Sequence, residues 1–375
     1  MIYLDHAATT PMRPGVWDAM APFAGERFGN PSGIHGVSRR AKDALEEARE
    51  RVAARLGAKP SEIVFTSGGT ESDNLAIKGA AMSGGSRRGV VTVATEHEAV
   101  LSSVEFLERL GHPVRRVGVD HNGLVDPQEL VDAIDETTAV VSVMAVNNET
   151  GVTQDVVRLA RLVAEQRPAV LFHTDAIQAH PTPGLLTDDL HLLSLSAHKF
   201  GGPKGSGVLF VRDGVRLEPV IHGGGQEAGR RSGTTDVAAA VGFATALDLA
   251  AEDHSRFVAT VGGIRDDFEK LVADAIPDLV INGGDAPRSP QHSNLRIPGV
   301  RNESLLIRLD RAGVAASAGS ACQSGAPSVS HVLAAMGLTR EQVRESVRFS
   351  FGWTTTQDEA REAAGILVDA VEALR

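Results

Sequence analysis

Cysteine is almost absent from this chain of 375 residues, which has a single one, Cys322. One cysteine excludes an internal disulfide, so we expect a reducing compartment and a cytoplasmic location. Basic residues are outnumbered by acidic ones, and a net charge of −11 argues against a nucleic-acid partner. The longest apolar run, AVVSVMAV, has the length of a strand and falls far short of a membrane span. The N-terminal MIYLDHAATTP shows no basic segment followed by an apolar one, so we expect neither a secretory signal nor a membrane partner.

The remaining composition, 42% hydrophobic and 23% charged, is that of a globular chain of about two or three domains. Apolar residues recur with helical spacing from Val37 to Leu56, and Gly57 follows, which predicts an amphipathic helix. Short, nearly continuous apolar runs then alternate with helical patterns, as is typical of a parallel sheet covered by helices on both faces. There are five such runs: EIVF, GVVTVA, TAVVSVMAV, AVLFHT and HLLSLS.

The pattern changes after about residue 256, where helical stretches alternate with fewer strands and the last helix opens with a capping box, Thr356 and Glu359. We therefore predict an α/β fold with two domains. The large domain, at 15–255, has a mostly parallel central sheet, and a smaller α+β domain comprises 1–14 and 256–375.

A polar cluster follows each of the five predicted strands. The clusters are SGGT with Gly69 and Thr70, TEH with His97, NNET with Asn148, DAIQ with Asp175 and Gln178, and SAHK with Ser196, His198 and Lys199. Ligands of open α/β sheets bind beyond the carboxyl ends of the strands, so we expect the clusters to converge on one site. Taken alone, SGGT is equally an ordinary helix cap and His97 equally a polar residue at a strand end. Their coincidence at five strand ends favours a binding site.

Asp175 and Lys199 each close an apolar strand, where a charge needs a partner. A structural ion pair between them is one interpretation. The other is pyridoxal phosphate bound between them, with the lysine in a Schiff base and the aspartate on the pyridinium nitrogen. The glycines of SGGT, before a helical pattern, would then offer backbone N–H groups to the phosphate. We prefer the cofactor because it explains both buried charges.

Two further glycine motifs carry no such argument. GGGQEA matches a dinucleotide fingerprint, but no apolar-periodic helix follows it, so a dehydrogenase is not supported. In GGPKGSG the lysine precedes the glycine, unlike in a P-loop, and we interpret the motif as a turn.

Together the motifs resemble, in chain order, those of the cysteine desulfurases of iron–sulfur cluster assembly, which are class V aminotransferase-like enzymes of fold type I. The motifs are LDHAATTP, FGNPSGIHG, VFTSGGTESDNLAIKGAA, TEHEAV, VNNETG, DAIQ, SAHKFGGPKGSG, HGGGQEAGRRSGT and SAGSACQSG. The resemblance covers Leu4 to about Gly352 and is to the group with a long catalytic-cysteine loop. It implies a homodimeric, pyridoxal 5′-phosphate-dependent enzyme that converts L-cysteine to L-alanine. The sulfur would pass as a persulfide to an iron–sulfur scaffold, a tRNA-thiolation protein or another acceptor.

The resemblance also implies a role for each site residue. At the cofactor ring, Lys199 would be the Schiff-base lysine, Asp175 would lie at the ring nitrogen and Gln178 at the phenolic oxygen, with Asn148 as a further cofactor contact. The residues around the phosphate would be Gly69, Thr70, Ser196 and His198. Thr234 would reach the phosphate bound in the other subunit. For catalysis the residues are Cys322 as the persulfide carrier, His97 in ring stacking and proton transfer, and Asn148 with Arg348 at the substrate carboxylate. No resident metal is expected, although Cys322 can transiently ligate a cluster together with a scaffold.

Small residues around Cys322, among them Gly319 and Gly325, suit a nucleophile that must move between cofactor and acceptor. Gln323 stands where the family commonly has Ser or Thr, and Trp353 where a basic residue is frequent. The chain stops at Arg375, soon after its last helix, which leaves the identity of the acceptor open. The alternatives are a selenocysteine lyase or another class V enzyme and, less supported, a sulfur carrier or scaffold-binding homologue without enzymatic activity.

Overall fold

The computed structural model describes residues 1–179, 181, 184–319 and 329–375. In chain order its strands are β1 (Ile2–Tyr3), β2 (Ile63–Thr66), β3 (Gly89–Val93), β4 (Val114–Val117), β5 (Thr138–Ser142), β6 (Leu171–Asp175), β7 (Leu192–Ser196), β8 (Gly207–Val211), β9 (Val280–Ile281), β10 (His292–Arg296), β11 (Val314–Ala315) and β12 (Ser346–Ser350). Its helices are α1 (Val16–Ala24), α2 (Gly36–Leu56), α3 (Gly69–Ser83), α4 (Glu98–Arg109), α5 (Pro127–Asp132), α6 (Val156–Gln166), α7 (Val237–Glu252), α8 (His254–Ala275), α9 (Asn302–Arg311), α10 (His331–Ala335), α11 (Arg340–Arg344) and α12 (Gln357–Glu372).

Seven strands form the large sheet in the order β2-β8-β7-β6-β5-β3-β4. Every neighbouring pair is parallel except those made by β8, which runs antiparallel to both β2 and β7. The five predicted strands all lie in this sheet, and the prediction of a mostly parallel sheet is confirmed. Sequence reasoning missed β4, whose residues are half-exposed at the sheet edge, and β8, which follows directly on the turn GGPKGSG.

Side chains that alternate along a strand point to opposite faces of the sheet, and each face carries its own apolar core. Val140 packs with residues of α3 and α4, whereas Val141 packs with residues of α2, α6 and α7. Helices therefore cover both faces, as the continuous apolarity of the strands predicts. The predicted helix ending before Gly57 is also confirmed, since Gly57 takes a left-handed φ of 71° that terminates α2.

A separate apolar core joins the two ends of the chain. Ile2 and Leu4 pack with residues between Phe257 and Val371. In this region β12, β10 and β9 form an antiparallel sheet, β1 pairs with β11, and α12 begins with the predicted capping box of Thr356 and Glu359. The domain boundaries given above remain a prediction.

Candidate active site

One cavity of about 300 Å³ lies beyond the carboxyl ends of the large sheet's strands. Ten of the twelve predicted site residues line it: Gly69, Thr70, His97, Asn148, Asp175, Gln178, Ser196, His198, Lys199 and Arg348. Further lining residues in the described part of the chain are Ala7, Ala8, Met144, Ile177 and Gly319. The connections that follow five different strands therefore meet at a single site, as parallel strands in one sheet require.

Lys199 follows β7 in a short 3₁₀ turn and reaches toward the N-terminal segment of the chain. Its Nζ donates hydrogen bonds to the carbonyl oxygens of Ala7, at 2.5 Å, and Ala8, at 2.9 Å. Gln178 Nε2 also donates to the Ala7 carbonyl, at 2.9 Å. The segment containing LDHAATTP thus orients two of the predicted cofactor ligands, a role that the motif alone did not reveal.

Asp175 is the last residue of β6 and is buried. Burial raises the pKa of Asp175 to about 6, against the opposing effects of a 2.9 Å hydrogen bond from the Ile177 N–H and of the charge on Lys199. Two further buried carboxyl groups, Asp73 and Glu96, have their pKa raised well above the ordinary value by burial and by the negative charge of Asp175. Of the three, only Asp175 lines the cavity, so it is the carboxyl group available to a cationic ring nitrogen.

The N-terminus of α3 forms an anion site beside Lys199. Gly68, the residue before the helix, has a φ of 146° that favours glycine, and no side chain caps the helix. Gly207 on β8 must also lack a side chain, because a Cβ there would lie 2.6 Å from the Gly68 backbone. The N–H groups of the first turn, starting at Gly69, are left for a bound anion such as a phosphate.

Two histidines line the cavity as neutral rings. Burial, followed by the charge on Lys199, lowers the pKa of both His97 and His198 to about 4. His97 Nδ1 accepts the N–H of Ala99 at 3.1 Å, which places the ring proton on Nε2. His198 Nδ1 is 3.1 Å from the hydroxyl oxygen of Thr9.

Arg348, on β12, brings a buried guanidinium to the cavity. It donates to the Asn148 carbonyl at 2.8 Å and to Asp5 Oδ1 at 2.7 Å. Among the described residues its Nε has no hydrogen-bond partner. A planar cation with an unsatisfied donor suits a carboxylate ligand.

Two predicted site residues are placed elsewhere. Thr234 is exposed and does not line the cavity, and Cys322 lies outside the described residues. The loop that carries Thr234 is anchored instead by Glu227, which accepts two hydrogen bonds from Arg49 at 2.7 and 2.9 Å. Glu227 and the next residue, Ala228, have φ values of 49° and 56°, unusual for residues with a Cβ. The loop is therefore held in a defined, strained conformation, and Arg231 on the same loop also pairs with Glu71 of α3 at 2.8 Å.

The described part of the chain shows neither a metal-binding group nor a membrane-spanning helix. No group of three or more His, Cys, Asp or Glu side chains is arranged there to hold a metal ion. None of the helices described combines the length and the apolarity that crossing a bilayer requires.

Comparison with known proteins agrees with this geometry. The family described as Aminotransferase class-V matches residues 2–362. Cysteine desulfurase IscS of Dictyoglomus turgidum is 42% identical over 377 residues, which span 100% of this chain and 95% of that protein. Cysteine desulfurase IscS of Methanosarcina thermophila is 40% identical over 378 residues, which span 100% of this chain and 93% of that protein.

Solved structures of related proteins have the same fold. A NifS-like protein superposes with a TM-score of 0.92 at 34% identity, covering 99% of both chains. A structure described as SspA in complex with cysteine gives a TM-score of 0.83 at 35% identity, covering 94% of this chain and 99% of that one. The chain belongs to the class-V aminotransferase family and, within it, to the cysteine desulfurases. The resemblance and the fold type I architecture predicted from the motifs are confirmed.

The cofactor of this family is pyridoxal 5′-phosphate, and the cavity fits it. A lysine ammonium and a buried carboxylate line the same cavity, and an uncapped helix N-terminus lies at its edge. These groups match the aldehyde, the ring nitrogen and the phosphate of the cofactor. The prediction of pyridoxal phosphate is therefore confirmed, and the interpretation of Asp175 and Lys199 as a purely structural ion pair is not needed.

Proposed function

We propose that this chain removes the sulfur of L-cysteine, releases L-alanine and carries the sulfur as a persulfide on Cys322. The observation that carries the proposal is the convergence of Lys199, Asp175, His97 and Arg348 on one cavity. The names of the relatives and the cysteine bound to SspA support the choice of substrate.

The residues proposed to hold the cofactor are Lys199, covalently, together with Asp175, Gln178, Asn148, Gly69, Thr70, Ser196 and His198. When bound, pyridoxal phosphate supplies an electron sink for the negative charge that develops at the substrate α-carbon. Asp175 maintains that sink, because a carboxylate at the ring nitrogen favours the protonated form of the ring.

Arg348 and Asn148 are proposed to orient the substrate through its carboxylate, which brings the α-carbon toward Lys199. Lys199 Nζ takes the α-proton. The pKa of His97, lowered to about 4 by burial and the charge on Lys199, keeps this ring neutral at physiological pH. With its proton on Nε2, the neutral ring can relay a proton without adding charge to the cavity.

The sulfur step is proposed to begin with Cys322 as a thiolate, because the thiol is a poor nucleophile. The thiolate attacks the substrate sulfur, a sulfur–sulfur bond forms and the bond from sulfur to the β-carbon breaks. The electron pair of the broken bond stays with the organic fragment. Its β-carbon takes a proton and its α-carbon regains the proton that Lys199 removed, so the organic product is alanine. Cysteine and the thiol thus become alanine and a persulfide without any external oxidant.

Product analysis tests this function. With L-cysteine and a reductant that discharges the persulfide, we expect alanine and sulfide in equal amounts from the cofactor-loaded protein. L-Serine, which has no sulfur, is the matched control and should give no alanine. Release of pyruvate in place of alanine would show elimination at the β-carbon and contradict the proposal.

A homodimer with shared sites is also proposed. Thr234 is exposed on a loop anchored by Arg49 and Glu227, and it does not line the chain's own cavity. This placement supports the role in the partner subunit that the family resemblance implies.

Heterodimers test the shared site. Lys199→Ala chains mixed with Thr234→Ala, Arg231→Ala chains should regain activity, because one of the two sites then has an intact lysine and an intact partner loop. The double variant must first be inactive by itself. A monomer in sedimentation at assay concentration would contradict the dimer.

The acceptor and the cellular location also remain proposals. We propose a protein acceptor, either an iron–sulfur scaffold or a carrier for tRNA thiolation, because a persulfide is a form in which sulfur passes between thiols. We propose a cytoplasmic location on the basis of the single cysteine.

A further inference from the structure

Glu149 is a buried carboxylate to which the mechanism above gives no role, and its backbone is firmly held. It lies in the NNET turn, where Asn147 Oδ1 accepts the N–H groups of Glu149, at 2.9 Å, and Thr150, at 3.0 Å. Asn294 Nδ2, from β10, donates to the Glu149 carbonyl at 3.1 Å. The side chain therefore projects from a fixed point.

The carboxylate of Glu149 is tied to Ser330, the residue that caps α10. Ser330 Oγ is 2.6 Å from Glu149 Oε2 and accepts the N–H of Leu333 at 3.1 Å. Ser330 Oγ thus accepts the Leu333 N–H through one lone pair and donates its single proton to Glu149. The start of α10 is thus fixed to the NNET turn.

The same carboxylate oxygen packs against Gly319. A Cβ at Gly319 would lie 2.7 Å from Glu149 Oε2, and the φ of 90° at this residue also favours glycine. The Gly319 N–H is held by Ser317 Oγ at 3.1 Å. Gly319 and Ser330 stand on either side of residues 320–328, the part of the chain that contains Cys322.

Glu149 is also coupled to the substrate side of the cavity. The carbonyl of its neighbour Asn148 accepts a hydrogen bond from the Arg348 side chain. The backbone N–H and carbonyl of Arg348 form hydrogen bonds with the backbone of Ser317. Gly319 itself lines the cavity. One carboxylate therefore connects the turn proposed to bind the substrate carboxylate with both flanks of the cysteine-bearing segment.

We propose that Glu149 is a positioning residue for sulfur transfer, which sets where the chain enters and leaves the segment carrying Cys322 relative to the bound substrate. This inference rests on the proposed function. Misplacing a reacting group by about 1 Å can cost about 100-fold in rate, so loss of the contact should slow the sulfur step and leave the cofactor chemistry intact.

Variants at Ser330 and Glu149 test the inference in the cofactor-loaded enzyme. In Ser330→Ala and in Glu149→Ala we expect kcat for sulfide release to fall by about ten-fold or more, with KM for L-cysteine nearly unchanged. The visible spectral change on adding L-cysteine should keep its amplitude. Ser330→Thr, which retains the hydroxyl, should recover most of the rate. The double variant should be no slower than Glu149→Ala, because both changes remove the same contact.

Ser103→Ala is the matched control, since Ser103 is a buried serine whose hydroxyl donates to the Ala99 carbonyl at 2.7 Å. It should keep the wild-type kcat. A wild-type kcat in Ser330→Ala would overturn the inference. So would a fall in kcat that Ser103→Ala shows equally, or one accompanied by an equal loss of the spectral change on adding L-cysteine. If the wild-type protein itself releases no sulfide from L-cysteine, the proposed function fails and this inference with it.

Discussion

Replacing Lys199 by alanine should abolish turnover, with a loss of about 10²–10⁴-fold or more, because the same amine is proposed to hold the cofactor and to take the α-proton. The chain should still fold, since the cavity lies outside the apolar cores. Borohydride should fix pyridoxal phosphate covalently to the wild-type protein and leave the variant unlabelled. Peptide mass analysis after reduction measures the attachment.

Lys204→Ala is the matched control for this experiment. Lys204 is exposed and lies near the same anion site, among the residues around Gly205 and His198. Its variant should keep the covalent label and most of the activity. Recovery of the reduced cofactor on Lys204 instead of Lys199 would show that the wrong lysine has been assigned.

Replacing Cys322 by alanine should abolish sulfur transfer and spare the cofactor site. Lys199, Asp175 and Arg348 all line the cavity and are unchanged in this variant. The variant should therefore stay yellow and show the spectral change when L-cysteine binds. Sulfide release should fall by about 10³-fold or more, as expected when a nucleophile is removed.

Comparison of two substrates separates this prediction from its nearest rival. A selenocysteine lyase can release selenium without a strict need for the thiol, so Cys322→Ala would retain activity on selenocysteine while losing it on cysteine. Sulfide release from L-cysteine at the wild-type rate in Cys322→Ala would contradict the persulfide mechanism.

Much of the site could be predicted from the sequence because of one rule of sheet architecture. Polar residues that follow buried parallel strands meet at one edge of the sheet, so His97, Asp175 and Lys199 were recognisable from local patterns. Their convergence on one cavity follows from the strand order, in which β7, β6, β5 and β3 are consecutive and His97 follows β3.

Residues that act through distant parts of the chain could not be assigned in this way. Ala7 and Ala8 contribute backbone carbonyl oxygens to Lys199, and a carbonyl has no signature in the sequence. Their position depends on the pairing of β1 with β11, which are more than 300 residues apart. The hydrogen bond from Ser330 to Glu149 joins residues 181 positions apart and leaves no periodic pattern in the sequence either.

The antiparallel direction of β8 was also missed, for a related reason. An apolar run such as GVLFV on a strand buried on both faces indicates burial but not direction. Direction is set by the connection. Residues 197–206 join β7 to β8, which is fewer than the roughly twelve or more residues that the crossover to a parallel neighbour needs.

The mass of the intact chain after one exposure to L-cysteine, without reductant, tests the central claim most directly. The wild-type protein loaded with cofactor should gain the mass of one sulfur atom, and fragmentation should place it on Cys322. Cys322→Ala should gain none, and Lys199→Ala should gain none although its thiol is intact. Alanine formed by the wild-type protein without any added sulfur on Cys322 would contradict the account.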